Sequence, residues 1–437
     1  MAPSDSNGRY GAGEAPGGLY RRRFIMSGQG AGSHSAHTNP RDGNGTLIVL
    51  LLITFINIAG FGIVIPLLPF YGETFGISAW QVTVLFSAYS VGQFIGEPLW
   101  GRVSDHFGRK PVLLFTVAAI GLSYVALAYT NSYYIALLLR LLGGVAGGNM
   151  GVTQAYVADI TPPGKRTARM GLLGAAFSLG FMAGPAIGGL LVIEGIGTAG
   201  YRPPLLCAGF LSALAVLGTV IFLRESRVHI NRAKRQQARI HEAILHPIIG
   251  QVLLTTLVAT SAFSAMEASY ALWAEARFDW GPHEVGLTFT MIGALAAFNQ
   301  AVLAGKIVEK IDESHALAYG ILLAGLAMFS QIFAPNGTVL ILITALMVLG
   351  LSITQPAISG LISLASPPER QGALLGLNGA LSAFARIIGP LVAGALFSIV
   401  SIDAPYIFAG LGMLPAAWLA LRVGRRIRAQ QRETQTA

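Results

Sequence analysis

The chain has 437 residues, 53% of them hydrophobic and only 11% charged, with a formal net charge of +9 and a mean hydropathy of +0.62. A soluble globular domain carries roughly 25% charged residues, so most of this surface does not face water, and a string of soluble domains is excluded. The apolar runs are continuous and roughly 20 residues long, the length a helix needs to cross hydrocarbon, whereas an outer-membrane barrel would alternate in segments of about ten.

Residues 1–45 are rich in Gly, Ser, Asn and Pro without periodicity and read as a disordered cytoplasmic tail. Arg21-Arg22-Arg23 looks like the start of a twin-arginine signal. The apolar run begins about 20 residues later and no small-residue cleavage site follows it, so a plain basic tail is expected. Met26 is an alternative start. Twelve spans are predicted, near 47–69, 80–100, 111–129, 133–157, 170–193, 204–223, 248–276, 284–305, 316–333, 339–363, 373–399 and 406–421. An even number of crossings puts both termini on one side.

The basic residues test that topology. With the termini cytoplasmic, 25 of the 29 Lys and Arg fall in cytoplasmic loops and tails, only Arg202 and Arg277 fall outside, and Arg140 and Arg386 lie within spans. This is the positive-inside pattern. It assigns the net charge to topology and excludes a nucleic-acid partner. The single cysteine, Cys207, forms no intrachain disulfide, and no Cys/His cluster suggests a metal. No cofactor is expected.

The polar stretch 224–246 divides the chain into a six-helix bundle at 46–223 and another at 247–421, with a cytoplasmic tail at 422–437. The halves resemble each other. A shift of 205 residues lays Pro162-Pro163 on Pro367-Pro368, Gly171-Leu172 on Gly376-Leu377, Gly174-Ala175 on Gly379-Ala380 and Gly184-Pro185 on Gly389-Pro390. Repeats of this kind build two bundles that rock about a midplane site. The predicted fold class is therefore an all-α membrane protein, with twelve transmembrane helices in two pseudo-symmetric bundles.

The loop between spans 2 and 3 reads Gly101-Arg102-Val103-Ser104-Asp105-His106-Phe107-Gly108-Arg109-Lys110-Pro111. Its glycines permit a tight turn, and Arg109 and Lys110 hold it in the cytoplasm. Span 4 holds Arg140, then Gly143, Gly144, Gly147 and Gly148. An intramembrane arginine needs a partner or a wet cavity, unless it snorkels to the interface. Span 5 holds Gly180-Phe181-Met182-Ala183-Gly184-Pro185-Ala186-Ile187-Gly188-Gly189, where small residues let helix backbones touch. Span 7 places Thr260, Ser264, Glu267 and Glu275 near one face. A carboxyl at that depth is costly unless protonated or paired, so Glu267 is the predicted proton carrier, the alternative being a structural carboxyl.

Asn378, Ser382 and Arg386 recur every four residues on span 11. Arg386 and Glu267 differ by roughly 9 Å in depth at 1.5 Å per residue, within reach of two long side chains. Glu97, near the cytoplasmic end of span 2, suits a gate or interface. Asn57, Gln93, Asn149, Gln154, Asn299, Gln355 and Asn378 are cavity candidates, or else polar bonds between helices. Phe61, Phe263, Phe289, Phe298, Phe384 and Trp273 could form an apolar wall.

The loop at 101–111 resembles the hallmark loop of the major facilitator superfamily, G-x-L-a-D-r-x-G-r-k, departing at Val103 and His106. A degenerate copy, Gly305-Lys306-Ile307-Val308-Glu309-Lys310, occupies the matching place in the second half. The resemblance covers about residues 46 to 422. It implies a gate latch in which Asp105 faces the start of the eleventh helix and Arg109 pairs with Asp159 at the end of the fourth. It further implies proton coupling at Arg140. The span 5 segment matches the superfamily's antiporter motif G-x-x-x-G-P-x-x-G-G at Gly180, Gly184, Pro185, Gly188 and Gly189, which implies export against inward proton flow.

Within the superfamily the chain is most similar to the tetracycline-resistance exporters, through Phe61-Gly62-Ile63-Val64-Ile65-Pro66-Leu67-Leu68-Pro69, the loop at 101–111, Leu272-Trp273 and Arg277-Phe278-Asp279-Trp280. Those exporters carry membrane acids where this chain has Asn57, Ser123 and Ala324, which moves the expected proton site to Glu267 and leaves tetracycline itself open. The expectation is a proton-driven exporter of a small amphipathic compound, working by alternating access as a monomer in the bacterial inner membrane. Its partners are the small-molecule substrate, protons and the lipid bilayer. The alternative is a proton-coupled uptake carrier for a metabolite. No nucleophile and base set, metal cluster or phosphate loop supports an enzyme, and the gate loop fits a channel poorly.

Overall fold

A computed structural model of the protein describes residues 40–226, 243 and 245–436. The expected tail up to residue 39, residues 227–242 and 244 of the expected linker, and residue 437 lie outside the described residues. From Pro40 onward the chain is one compact unit. Its helices are α1 (Pro40–Glu73), α2 (Ala79–Phe107), α3 (Arg109–Tyr129), α4 (Tyr133–Gly147), α5 (Met150–Asp159), α6 (Arg166–Leu191) and α7 (Arg202–Phe222). They continue as α8 (Ile249–Phe278), α9 (Pro282–Phe298), α10 (Gly305–Ile311), α11 (Glu313–Gln331), α12 (Gly337–Leu364), α13 (Pro368–Ile399) and α14 (Ala404–Thr436). A π-helical turn at Asn299–Ala304 joins α9 to α10.

Long helices are what hydrocarbon requires, because only they satisfy every backbone polar group within the segment. Their ends fall where local chemistry stops them. Ser78 caps α2 in a capping box with Gln81. Asn336 accepts from the Val339 amide at 3.0 Å to start α12. Asp279, with φ 57, turns the chain out of α8.

Ten helical rods are long and apolar enough to cross a membrane, counting 133–159 and 282–311 as single rods. Among the described residues α2 and α11 fall short of that measure, so composition accounts for ten of the twelve expected crossings. In α2 the deficit has a visible source: Tyr89, Gln93 and Glu97 recur every four residues on a helix that packs against α4 and α13. Inter-helix packing shelters that stripe, so α2 needs less hydropathy than a lipid-facing rod.

The helices associate in two sets. In the first, α1 packs on α6 and α7, α2 on α4, and α3 on α7. In the second, α8 packs on α13 and α14, and α11 on α12 and α14. The sets meet along two main seams, α6 against α9 and α2 against α13.

Both seams are closed at the end away from the 101–111 loop. A Cβ on Gly286 of α9 would lie 2.8 Å from the Pro185 carbonyl oxygen and 3.0 Å from the Gly189 Cα, and one on Gly293 would lie 2.7 Å from the Met182 Cα. Across the other seam the Ser87 hydroxyl donates to the Ile387 carbonyl at 3.0 Å, and Gly394 seats Thr83. Toward the loop end the same faces are empty. Gly171 and Gly174 stand eleven residues, three helical turns, before Met182 and Pro185, and Gly376 stands eleven before Ile387. A Cβ on any of these three would meet nothing within 4 Å. The seams are zipped at the far end and splayed at the loop end.

Candidate functional site

The loop is built from its backbone outward. Gly108 separates α2 from α3 with φ 103 and ψ 162, a conformation that L side chains rarely adopt. A Cβ there would also lie 2.5 Å from the Glu225 carboxylate. Gly108 offers α3 no capping side chain, and Glu225, just beyond α7, supplies one. Its two oxygens accept from the Arg109 amide at 2.8 Å and the Lys110 amide at 3.1 Å. A carboxylate is favoured at a helix N-terminus by the exposed amides and the dipole. Lys110 Nζ donates to the Val220 carbonyl at 3.0 Å, tying α3 to α7 again.

Arg109 is the hub of the loop. Its Nη1 lies 2.8 Å from Asp105 Oδ1 and its Nε 3.4 Å from Asp159 Oδ2. Nη1 also donates to the Ser104 hydroxyl at 2.5 Å. The expected Arg109–Asp159 pair is present. Asp105 turns to Arg109, and no bond joins it to the start of α13 among the described residues, as the splayed seam requires. Gly101 has open space beside it.

Glu225 was missed by sequence reasoning, which assigned it to a linker. The unfilled cap position at Gly108 is the signal that calls for such an acid.

The second-half copy folds alike. Asp312, between α10 and α11, has φ 65 and ψ 162, the same unusual region as Gly108. Asp tolerates positive φ better than most residues, and here it caps α11 itself. Its Oδ1 accepts from the Ser314 amide at 2.9 Å and the His315 amide at 3.0 Å, while Oδ2 meets His315 Nδ1 at 2.7 Å. Burial pushes this carboxyl up, but the bonds from His315 and Ser314 outweigh it and hold the group at about 2.

A second constellation lies between the seams. Tyr89 of α2 stacks on Phe61 with ring centroids 5.1 Å apart, and the Arg140 guanidinium sits 4.4 Å from the Tyr89 centroid. Arg140 is only 3% exposed, and its Nε donates to the Leu85 carbonyl at 3.5 Å. It does not snorkel: the ring and the carbonyl hold its charge inside. Among the described residues no carboxylate pairs with it. Tyr89 also lies within electrostatic range of Arg386, whose guanidinium in turn acts on Glu267 of α8 and Glu97 of α2. The structure thus gathers Arg140, Tyr89, Arg386, Glu267 and Glu97 across the two helix sets. Tyr89 and Glu97 joined this group only in three dimensions, although their spacing with Gln93 was legible.

The polar candidates divide. Asn149 is buried and donates to Thr116 Oγ1 at 2.9 Å, and Asn378 is buried and accepts from Thr256 Oγ1 at 2.8 Å. Both are bonds between helices and do not line open space. Asn299 is buried in the π-helical turn, and Asn57 Oδ1 is buried without a partner. Gln93 is half-buried, while Gln154 and Gln355 are exposed. Of the aromatic candidates, Trp273 and Phe289 are core, with Trp273 Nε1 donating to Asp403 Oδ1 at 2.7 Å. Phe298 and Phe384 are exposed.

The antiporter motif is a packing seam along its whole length. A Cβ on Gly180 would lie 2.6 Å from the Phe55 carbonyl oxygen and one on Gly188 2.7 Å from that of Ile63, while Gly184 abuts Ala59 and Gly62. One face of α6 thus grips α1, while Pro185 and Gly189 meet α9. At this end a cavity of about 650 Å³ opens between the loops, with Glu73, Glu194, Glu275, Asp279 and Glu284 in its lining. The positions compared with exporter acids are packed here: Ser123 donates to the Leu139 carbonyl at 2.9 Å, and Ala324 is fully buried against Gly350.

Known proteins resemble the chain over most of its length. Multidrug resistance protein 2 of Bacillus subtilis is 27% identical over 86% of this chain and 94% of its own length. The class H tetracycline resistance protein of Pasteurella multocida is 29% identical over 81% and 90%, and the quinolone resistance protein NorA of Staphylococcus aureus 27% over 89% and 99%. Among solved structures, the human organic anion transporter MFSD10 superposes with a TM-score of 0.64 at 24% identity, covering 86% of this chain and 99% of that one. An inward-facing bacterial homologue of the lysosomal transporter Spinster gives 0.71 at 15% identity, covering 89% and 97%. The family model described as Major Facilitator Superfamily matches residues 50–311 and 252–436, and the chain belongs to that family of membrane transporters.

Proposed function

We propose that the protein is a proton-driven exporter of small amphipathic compounds, working by alternating access in a bacterial plasma membrane. Twelve crossings would place both termini and the 101–111 loop in the cytoplasm, with bundles at 46–223 and 247–421 joined by 224–246. The observation that carries the reading is the α6 seam. The glycines that match the superfamily's antiporter motif weld α6 to α1, and the same helix meets α9 across the bundle boundary. The resistance proteins named above support the outward direction.

With the loop end in the cytoplasm, the splayed seams make this the inward-open state. Substrate enters between α6 and α9 or between α2 and α13. Glu267, half-buried and facing Arg386, exchanges its proton for substrate. Arg140 holds Tyr89, which also lies within electrostatic range of Arg386. The transporter works as a monomer on the proton gradient and requires no cofactor. Everted vesicles with an imposed pH gradient test this: Glu267→Gln should abolish proton-driven accumulation of substrate, and undiminished accumulation would remove Glu267 from the mechanism. A susceptibility screen across drug classes in a pump-deleted strain, with and without the gene, would identify the cargo.

A further inference from the structure

The contacts along α13 fix the depth of its arginine. α2 and α13 run antiparallel, and they touch at Gly394 with Thr83, at Ile387 with Ser87, and at Phe384 with Phe94, whose ring centroids are 6.4 Å apart. Arg386 therefore sits at a depth between Ser87 and Phe94, and Glu97 lies about one turn nearer the loop end than Phe94. On the other side Gly389 packs against Ser261 and Ala265 of α8, which runs parallel to α13. Glu267 is on the far side of that contact and Arg386 on the loop side. From the far end to the loop end the order is Glu267, Arg386, Glu97.

Side chains point back toward the N-terminus of their own helix. On α13 this sends Arg386 toward the loop end, and on α2 it sends Glu97 toward the far end, so the two lean toward each other across the splayed seam. Tyr89 and Glu97 from α2 and Glu267 from α8 lie within electrostatic range of Arg386. Arg140 of α4 lies against the Tyr89 ring. In this open conformation Arg386 closes an ion pair with neither acid.

We propose that Glu97 is the proton-exit carboxylate and the alternative partner of Arg386, and that the Glu97–Arg386 ion pair holds the cytoplasmic mouth shut. This rests on the reading of Glu267 as the proton carrier. With the mouth closed, Glu97 is ionised and paired, and Glu267 holds a proton taken from outside. Opening is one proton transfer. The O–H bond on Glu267 breaks and one forms on Glu97, and the water admitted by the parting seam carries the proton between them, each water giving up one O–H bond as it gains another. The new Glu267 carboxylate then balances the Arg386 charge from within electrostatic range, without a direct pair. The pair across the seam is lost, α2 and α13 part, and Glu97 delivers its proton to the cytoplasm. Two acids at different depths with one arginine between them give the proton a direction that a single carboxyl could not.

The test reads the mouth directly. The native Cys207 is replaced by Ser, and Gly379→Cys is introduced seven residues before Arg386, on the same face and with open space around it. Labelling by an impermeant maleimide from the cytoplasmic side is measured against total labelling in denaturant, which also reports folded insertion. Glu267→Gln leaves Arg386 only Glu97 as a partner and should slow labelling several-fold. Adding Glu97→Gln should restore the fast rate, while adding the still ionisable Glu97→Asp should keep labelling slow. In otherwise native protein, Glu97→Gln should flatten the pH profile of proton-driven efflux. A double variant as slow as Glu267→Gln alone would overturn the assignment to Glu97. The efflux assay on Glu267→Gln tests the underlying reading separately, because labelling of the double variant does not depend on transport.

Discussion

Gly286→Ala perturbs a seam that alternating access, as proposed above, would open in the other transport state. In this conformation the added methyl would lie 2.8 Å from the Pro185 carbonyl oxygen and 3.0 Å from the Gly189 Cα. Both are backbone atoms of a helix already gripped by α1, so α6 cannot give way without disturbing its other face. Overpacking of this kind costs about 1–3 kcal/mol. Alanine also gains roughly 1 kcal/mol of helix propensity over glycine, but that gain is the same in both states and cancels from their ratio. Taking the lower half of the overpacking range, about 1–2 kcal/mol, the open-mouth state should lose about 5- to 30-fold in population relative to the alternative.

Spin labels on Gly171→Cys and Gly376→Cys, both in open space on the splayed faces, would report the mouth by pulsed electron resonance in a Cys207→Ser background. Gly286→Ala should move the distance distribution toward the short population. Gly184→Ala, whose methyl abuts Ala59 and Gly62 within one helix set, should lower thermal stability and leave the distribution unchanged. An unchanged distribution in Gly286→Ala would refute the reasoning that the α6–α9 seam is state-specific.

Three further outcomes are expected. Glu225→Ala removes the cap of α3 and should cost about 1 kcal/mol, seen as faster hydrogen exchange at the Arg109 and Lys110 amides; unchanged exchange would show that the cap is dispensable. Arg140→Lys should lower the unfolding midpoint, because a lysine cannot place a planar group over Tyr89 while donating to the Leu85 carbonyl; an unshifted midpoint would refute the importance of that stack. Asp312 is held at about 2 against an ordinary value of 3.8. A depressed carboxyl stabilises the fold above its unfolded value and loses that contribution as pH falls through the folded one. The stability gap between native protein and Asp312→Ala should therefore be constant above pH ~5, shrink between ~4 and ~2, and level off below at the pH-independent cost of alanine at φ 65; a gap that does not shrink on acidification would sink the assignment.

Much of this protein was legible in its sequence because hydrocarbon leaves few options. Apolar runs of the length of α1, α8 or α12 must be helices, the basic residues must gather on one side, and three glycines spaced by four, Gly180, Gly184 and Gly188, can only mark a close approach of helices. The pairing of Arg109 with Asp159, 50 residues apart, was implied by the resemblance of the 101–111 loop to the superfamily's hallmark loop. The tertiary structure decided what depends on which face meets which. It assigned Asn149 and Asn378 to bonds between helices, put Trp273 in the core, and turned Arg140 under Tyr89 instead of toward the interface. It also brought Glu225 from the end of α7 to the empty cap at Gly108, and set Glu97 and Glu267 on either side of Arg386. Sequence spacing gives the face of a single helix, but the identity of the opposing helix is set by packing across separations such as the 300 residues between Ser87 and Ile387, which no local period records.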